Sequence, residues 1–137
     1  MKHTVISTKL AQTPGNYSQG RVIEFDDYKI LYTSGQTGND PVSNEVVSSN
    51  IQEQTERALL NIKAIVEKAG GTMEDIVKVT PYMKDMKNNK NGFEEIYKTF
   101  FPSLKPARSL VEVVEIPLVT EETIIMIESI AYIKKTR

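Results

Sequence analysis

The segment Thr123 to Ile133 limits the possible folds most, because it is apolar on both of its faces. Successive side chains of a strand point to opposite sides. Ile125 and Ile127 therefore share one face, and Ile124 and Ile130 the other. The segment Ala107 to Glu115 reads the same way, with Leu110 and Val114 opposite Val111 and Val113. Strands of this kind belong to a sheet covered on both sides.

The rest of the chain supplies that sheet and two helices. Residues 3–8 are β-prone, and Pro14-Gly15-Asn16 marks a turn in the following loop, 11–20. Arg21 to Phe25 and Tyr28 to Ser34 read as a hairpin closed at Asp26-Asp27. Gly35 to Pro41 reads as a flexible loop. Ser49-Asn50-Ile51-Gln52 fits a capping box, S-x-x-Q. After it Ile51, Thr55, Ala58, Leu59, Ile62, Ile65, Val66 and Ala69 recur at helical spacing, and Gly70-Gly71 gives a stop. Ile76 to Lys84 reads as a strand in which Pro81 marks a bulge or an edge. Asn88 to Gly92 reads as loop, and Phe93 to Phe101 as a second, shorter helix closed by Pro102.

The order β-β-β-α-β-α-β-β predicts an α+β domain spanning 1–137: one mixed six-stranded sheet with two helices on one face. A helix is about 10 Å wide and strands lie about 4.8 Å apart, so two helices cover roughly four strands on a single face. The second apolar face then needs another subunit, which predicts a homo-oligomer.

Composition removes several function classes. The chain carries 17 basic and 18 acidic residues, for a net charge of -1, so it has no broad attraction for nucleic acid or membrane. It has no cysteine, and its one histidine, His3, lies beside the N-terminus. Thiolate metal sites, cysteine nucleophiles and histidine-based triads are therefore not expected. No carboxylate spacing suggests an oxygen cage, so no metal site is expected, and no glycine-rich phosphate loop is present. No apolar leader or membrane-length stretch is seen, and a cytoplasmic location is the default.

The residues with chemistry are few. Arg108 stands at the mouth of an otherwise apolar strand in Lys105-Pro106-Ala107-Arg108-Ser109-Leu110-Val111-Glu112-Val113. A guanidinium there needs an anion. Two readings stay open: an internal carboxylate such as Glu112 or Glu128, or the carboxylate of a ligand held by the guanidinium fork. Tyr17 reads as a loop anchor, and Gly35 as a turn or as room for a ligand against the backbone. Glu94 and Glu95 open the second helix, where the dipole favours acidic residues. Glu121 and Glu122 read as solvated. Glu128, inside an apolar strand, must find a donor or shift its pKa.

Seven pieces in order resemble the reactive-intermediate deaminase family, RidA/YjgF, also labelled translation inhibitor or endoribonuclease L-PSP. They are Gly15-Asn16-Tyr17-Ser18-Gln19-Gly20, Thr33-Ser34-Gly35-Gln36, Leu60 to Glu67, Val77-Lys78-Val79-Thr80, Tyr97 with Phe100-Phe101, Pro106-Ala107-Arg108-Ser109, and Ile127 to Ala131. The resemblance implies a chorismate-mutase-like fold and a homotrimer whose sheets form a central barrel. It also implies clefts between subunits, each binding a small carboxylate-bearing metabolite. Arg108 would clamp the carboxylate of a 2-imino or 2-enamino acid, the backbones of Gly35 and Leu110 would line the cleft, and Tyr17 would close one side. The implied reaction is hydrolysis of the imine to a 2-keto acid and ammonia without metal or cofactor.

Three positions depart from the family pattern. A strand glutamate is Met126 here, an asparagine three residues before the helix tyrosine is Glu94, and a cysteine after Arg-Ser is Leu110. Met126 and Glu128 share a strand face roughly 7 Å apart, so Glu128 does not fill the missing place. By the resemblance, Met126 removes the water-activating group, and two readings of Glu94 stay open: it brings a carboxylate from another direction, or it repels an anionic ligand. Three functions follow for comparison: an imine deaminase, a binder of carboxylate metabolites without chemistry, and a ribonuclease or translation inhibitor. The charge balance argues against the last.

Overall fold

The computed structural model describes residues 2–117 and 120–135. The elements are β1 (Lys2–Ile6), β2 (Gly20–Glu24), β3 (Tyr28–Thr33), β4 (Gln36–Thr37), α1 (Ile51–Lys68), a 3-10 turn at Met73–Asp75, β5 (Ile76–Met83), α2 (Met86–Phe100), β6 (Ala107–Arg108), β7 (Val111–Glu112) and β8 (Ile125–Lys134). They build one mixed sheet of order β1-β2-β3-β8-β5-β6, with β4 added to β8 and β7 to β5. The expected α+β arrangement with two helices is present. Among the described residues the sheet has eight strands rather than six, because the short β4 joins the expected set and the strand expected over Ala107 to Glu115 is split into β6 and β7.

Alternation along β8 sets the layers. Ile125, Ile127, Ser129, Ala131 and Ile133 are buried, whereas Met126, Glu128 and Ile130 are half-buried. The apolar members of the first set join Val22, Leu31, Val79 and Met83 in one core with Leu59, Ile62, Ile65 and Val66 of α1 and Phe93 and Tyr97 of α2. Each such side chain contributes about 1.5–3 kcal/mol when fully buried. Both helices pack into this core. The opposite sheet face carries Ile23, Ile30, Tyr32, Ile130 and Tyr132, all half-buried or exposed. The segment after Arg108 differs from the expected two-sided strand. It pairs only at 107–108 and 111–112, and Val111 and Val114 are exposed.

Pro81 explains that interruption. β5 pairs in parallel with β6 through Val79 and with β7 from Tyr82 onward. Pro81 has no N–H to give, and it lies opposite the gap between the two short strands. The register shift of β5 falls earlier, between Ile76 and Lys78.

The helix starts also depart from expectation. The cap of α1 is Asn50, one residue past Ser49: its Oδ1 accepts the Glu53 N–H at 2.9 Å, and Ser48 Oγ donates to Glu53 Oε1 at 2.8 Å. Asparagine caps as well as serine. α2 begins at Met86, so Asn88 to Gly92 is helix and not loop. Asp85 turns the chain with a φ of 50°, and Asn89 Nδ2 donates to the Lys84 carbonyl at 2.9 Å. Gly92 is a packing residue there, since a Cβ would lie 2.6 Å from Ile51 Cγ2 of α1. Glu94 is consequently mid-helix, beyond the first turn where a dipole role would apply.

The loop Gly35–Pro41 is held rather than loose. Gln12 Oε1 accepts from Thr37 N–H at 3.2 Å and Thr37 Oγ1 at 2.7 Å. Asn61 Nδ2 donates to the carbonyls of Thr37 and Asn39 at 3.2 and 3.1 Å. Gln54, fully buried, donates to the carbonyls of Ser48 and Glu122 at 2.6 and 2.7 Å and accepts from Ile124 N–H at 2.9 Å. These amides tie the loop, the approach to α1 and the start of β8 into one block.

Candidate functional site

Arg108 is placed by β6, whose register sets it beside the buried Val79 of β5. Its guanidinium extends to α2. Nη1 donates to Glu94 Oε1 at 2.6 Å and Nη2 to Glu94 Oε2 at 2.8 Å. The guanidinium carbon lies 4.7 Å from the Tyr97 ring centre and 5.6 Å from that of Phe93, within cation–π range. The pair is half-buried, with side-chain exposures of 24% for Arg108 and 36% for Glu94.

The internal anion of Arg108 is thus Glu94, in place of the expected Glu112 or Glu128. Glu112 Oε2 accepts the Met86 N–H at 3.0 Å at the start of α2. Glu128 accepts a hydrogen bond from the Tyr82 hydroxyl, which is the donor its mid-strand position demanded. That bond, with partial burial behind it, pushes the Tyr82 phenol above its ordinary range. Burial does the same to Tyr97, whose hydroxyl is buried and meets no hydrogen-bond partner among the described residues.

The hydrogen bonds from Arg108 hold the Glu94 carboxyl below its usual range, against a smaller opposing effect of burial. A lowered folded-state pKa contributes stability above the unfolded pKa, and that contribution is lost as pH falls through the folded value. Glu94→Gln is therefore expected to flatten the loss of stability on acidification below pH about 4.3. Urea midpoints measured from neutral pH downward check this, and parallel acid limbs in the two proteins would contradict it.

The other predicted residues form a second group. Ser34 Oγ donates to the Ser18 carbonyl, and Ser34 N–H to the Gln19 carbonyl at 2.8 Å, so the Tyr17 loop meets the chain beside Gly35. Tyr17 itself is 42% exposed, so it is not a packed loop anchor. A Cβ on Gly35 would lie 2.6 Å from the Met126 sulfur. The room expected there for a ligand is therefore occupied by Met126. Met126 pairs with Thr37 of β4 and Tyr82 of β5, and so neighbours the Tyr82–Glu128 couple. Leu110 is half-buried against the core, and the neighbouring Ser109 Oγ accepts from Lys78 Nζ at 3.2 Å.

The chain thus presents two clusters. Arg108 and Glu94, flanked by Phe93 and Tyr97, lie on the α2 side. Gly35, Met126, Tyr82 and Glu128 lie by the sheet face turned from the helices. The sequence reading missed Phe93 and Tyr82 as members. The 93/97 aromatic spacing on a helix, one residue off Glu94, was the available signal for Phe93. A broad groove of about 780 Å³ between α1 and the end of α2, lined by Leu60, Lys63, Met73, Thr99 and Phe100 among others, includes neither cluster. Among the described residues no group of three His, Cys, Asp or Glu side chains could hold a metal ion, and no helix is long and apolar enough to cross a membrane.

Comparison with known proteins agrees with the fold. The family model described as endoribonuclease L-PSP matches residues 8–133. A RutC family protein of Pyrococcus abyssi is 41% identical over 96% of this chain and 98% of its own length. A 2-iminobutanoate/2-iminopropanoate deaminase of Dermatophagoides farinae is 38% identical over 90% of this chain and 96% of its own. The crystal structure of E. coli TdcF with bound serine superposes with a TM-score of 0.80 at 33% identity, covering 93% of this chain and 97% of that one. With the family model spanning nearly all of the sheet and both helices, and relatives above 30% identity along the same span, the chain belongs to the RidA/YjgF family, described in the family model as endoribonuclease L-PSP.

Proposed function

We propose that this protein hydrolyses small 2-imino or 2-enamino acids to 2-keto acids and ammonia, in clefts between the protomers of a homotrimer. The observation that carries the reading is the Arg108 fork. Both Nη atoms already hold the two oxygens of one planar carboxylate, at 2.6 and 2.8 Å, so the guanidinium is oriented for a bidentate carboxylate ligand. In the reaction a water oxygen bonds to C2 of the imine, protons pass to the nitrogen, the C2–N bond breaks and ammonia leaves. Glu94 beside the fork, and Glu128 with Tyr82, are the groups on hand to position water and move protons. The D. farinae relative bears the name of this activity, and serine, bound by TdcF, has the carboxylate the reading requires.

Assembly brings the two clusters into one cleft. Its support is the sheet face away from the helices, where Tyr32 and Tyr132 are 46% and 41% exposed beside Ile30 and Ile130. Burying such a face against other copies is favourable. A second reading, a carboxylate binder without chemistry, is favoured by one observation: Met126 stands in the family's strand-glutamate place.

The test is the rate of loss of 2-iminopropanoate generated in situ by an amino-acid oxidase. Wild type is expected to accelerate it, and Arg108→Ala to lower kcat/KM by about 10- to 100-fold, the worth of charge-assisted hydrogen bonds. Acceleration that survives Arg108→Ala would contradict the clamp. Carboxylate binding with no acceleration would establish the second reading.

A further inference from the structure

The Arg108 cluster is already electrically neutral, and this restricts what can enter it. Glu94 accepts one N–H from each Nη, and the flanking side chains, Phe93 and Tyr97, bring no further charge. Lys90, one turn earlier on α2, offers Glu94 a weaker attraction, without a hydrogen bond to it. A ligand carrying only a carboxylate would place two anions around one guanidinium in a half-buried site. Like charges brought together there oppose binding. A ligand that also carries a cationic nitrogen close to its carboxylate leaves every charge with a partner: guanidinium to carboxylate, nitrogen to Glu94.

We infer that Glu94 makes this a site for small zwitterions, selecting 2-carboxylates whose C2 bears a protonated nitrogen and disfavouring those that lack it. This inference rests on the reading of Arg108 as a carboxylate clamp. In that setting the selected form of the substrate is the protonated iminium, which is the more electrophilic one toward water. The 2-keto acid product has lost the cation, meets Glu94 as a like charge and is released. An asparagine at position 94, the family pattern, would not draw this distinction, because a neutral amide neither attracts a cation nor repels an anion at comparable strength.

Two ligands of equal size separate the possibilities. L-alanine carries an ammonium on C2, and L-lactate has a hydroxyl in its place. Both are titrated into wild type, Glu94→Gln and Arg108→Ala at neutral pH and low salt, followed by amide chemical shifts. Wild type is expected to bind alanine about 10-fold or more tightly than lactate. Glu94→Gln is expected to bring the two affinities together by weakening alanine and strengthening lactate. Equal affinities in wild type, or a preference for alanine that persists in Glu94→Gln, would overturn the inference. If lactate then matches alanine and both are lost in Arg108→Ala, the clamp stands and only the role of Glu94 falls. Binding of neither ligand, or binding indifferent to Arg108→Ala, overturns the clamp and this inference with it. The comparison within wild type needs no variant to fold.

Discussion

Met126→Glu is expected to raise the rate of imine hydrolysis by about 10²- to 10⁴-fold, the usual worth of a positioned general acid or base. The side chain would extend from β8 on the face shared by Tyr82 and Glu128, next to the bare backbone of Gly35. The thioether already occupies that place, and glutamate is of similar length, so little repacking is required. The Glu128 carboxylate lies two residues away on the same face, and Tyr82 already donates to it. A second carboxylate beside it has its pKa raised by like charge and partial burial. That shift brings it toward the range where it can take a proton from water and return it to the leaving nitrogen. The in-situ iminopropanoate assay measures this. An unchanged rate in a folded Met126→Glu protein would show that the open-face cluster takes no part in the chemistry.

Gln54→Ala is expected to cost about 2–4 kcal/mol of stability, although Gln54 touches neither cluster. Its amide is fully buried and closes three gaps in main-chain hydrogen bonding, at Ser48, Glu122 and Ile124. Alanine would leave two carbonyls and one N–H, all in part-buried bonds, without this partner. The consequence reaches the site, because the same block carries the Gly35–Pro41 loop and the entry to β8, and hence Met126. Urea unfolding measures the loss as a lower midpoint at unchanged slope. A shift under about 0.5 kcal/mol would mean that water replaces the amide without loss.

These two residues illustrate what the sequence made legible. The odd-numbered apolar positions of β8 and the heptad-like spacing of α1 specify the core, because burial periodicity is written directly in residue type. The open face was legible for the same reason, in Ile130. Gln54 and Asn61 were not, since a polar residue on the inner face of a helix looks like a misplaced surface residue until the loop it bonds is in view. The start of α2 was misread because Asn88, Asn89 and Gly92 have the composition of a loop. Local propensity is overridden there by the Asn89 bond to Lys84 and the close approach to Ile51.

The Arg108 cluster was legible in its arginine more than in that arginine's partner. Arg108 was identifiable from its need for an anion, and the candidates considered were carboxylates near it in the strands. The true partner comes from α2, 14 residues earlier in the chain, and reaches Arg108 only because α2 lies against the same core. Glu94 reads as a first-turn residue only if the helix begins at Phe93. An error of one helical turn or two in a boundary was enough to hide the most important contact in the cluster. Gly35 had two readings in the sequence, a turn or open room. Its lack of a side chain does make room, and the room belongs to Met126.

The central claim is that Arg108 receives a ligand carboxylate in a cleft completed by a neighbouring protomer, with Glu94 beside it. The most direct test is a crystal structure of the protein grown with L-alanine. The account predicts the alanine carboxylate within hydrogen-bond distance of both Nη atoms of Arg108, its ammonium against Glu94, and a second copy of the chain bordering the cleft. Arg108 still bound by Glu94 alone, with alanine elsewhere or unbound, would contradict it.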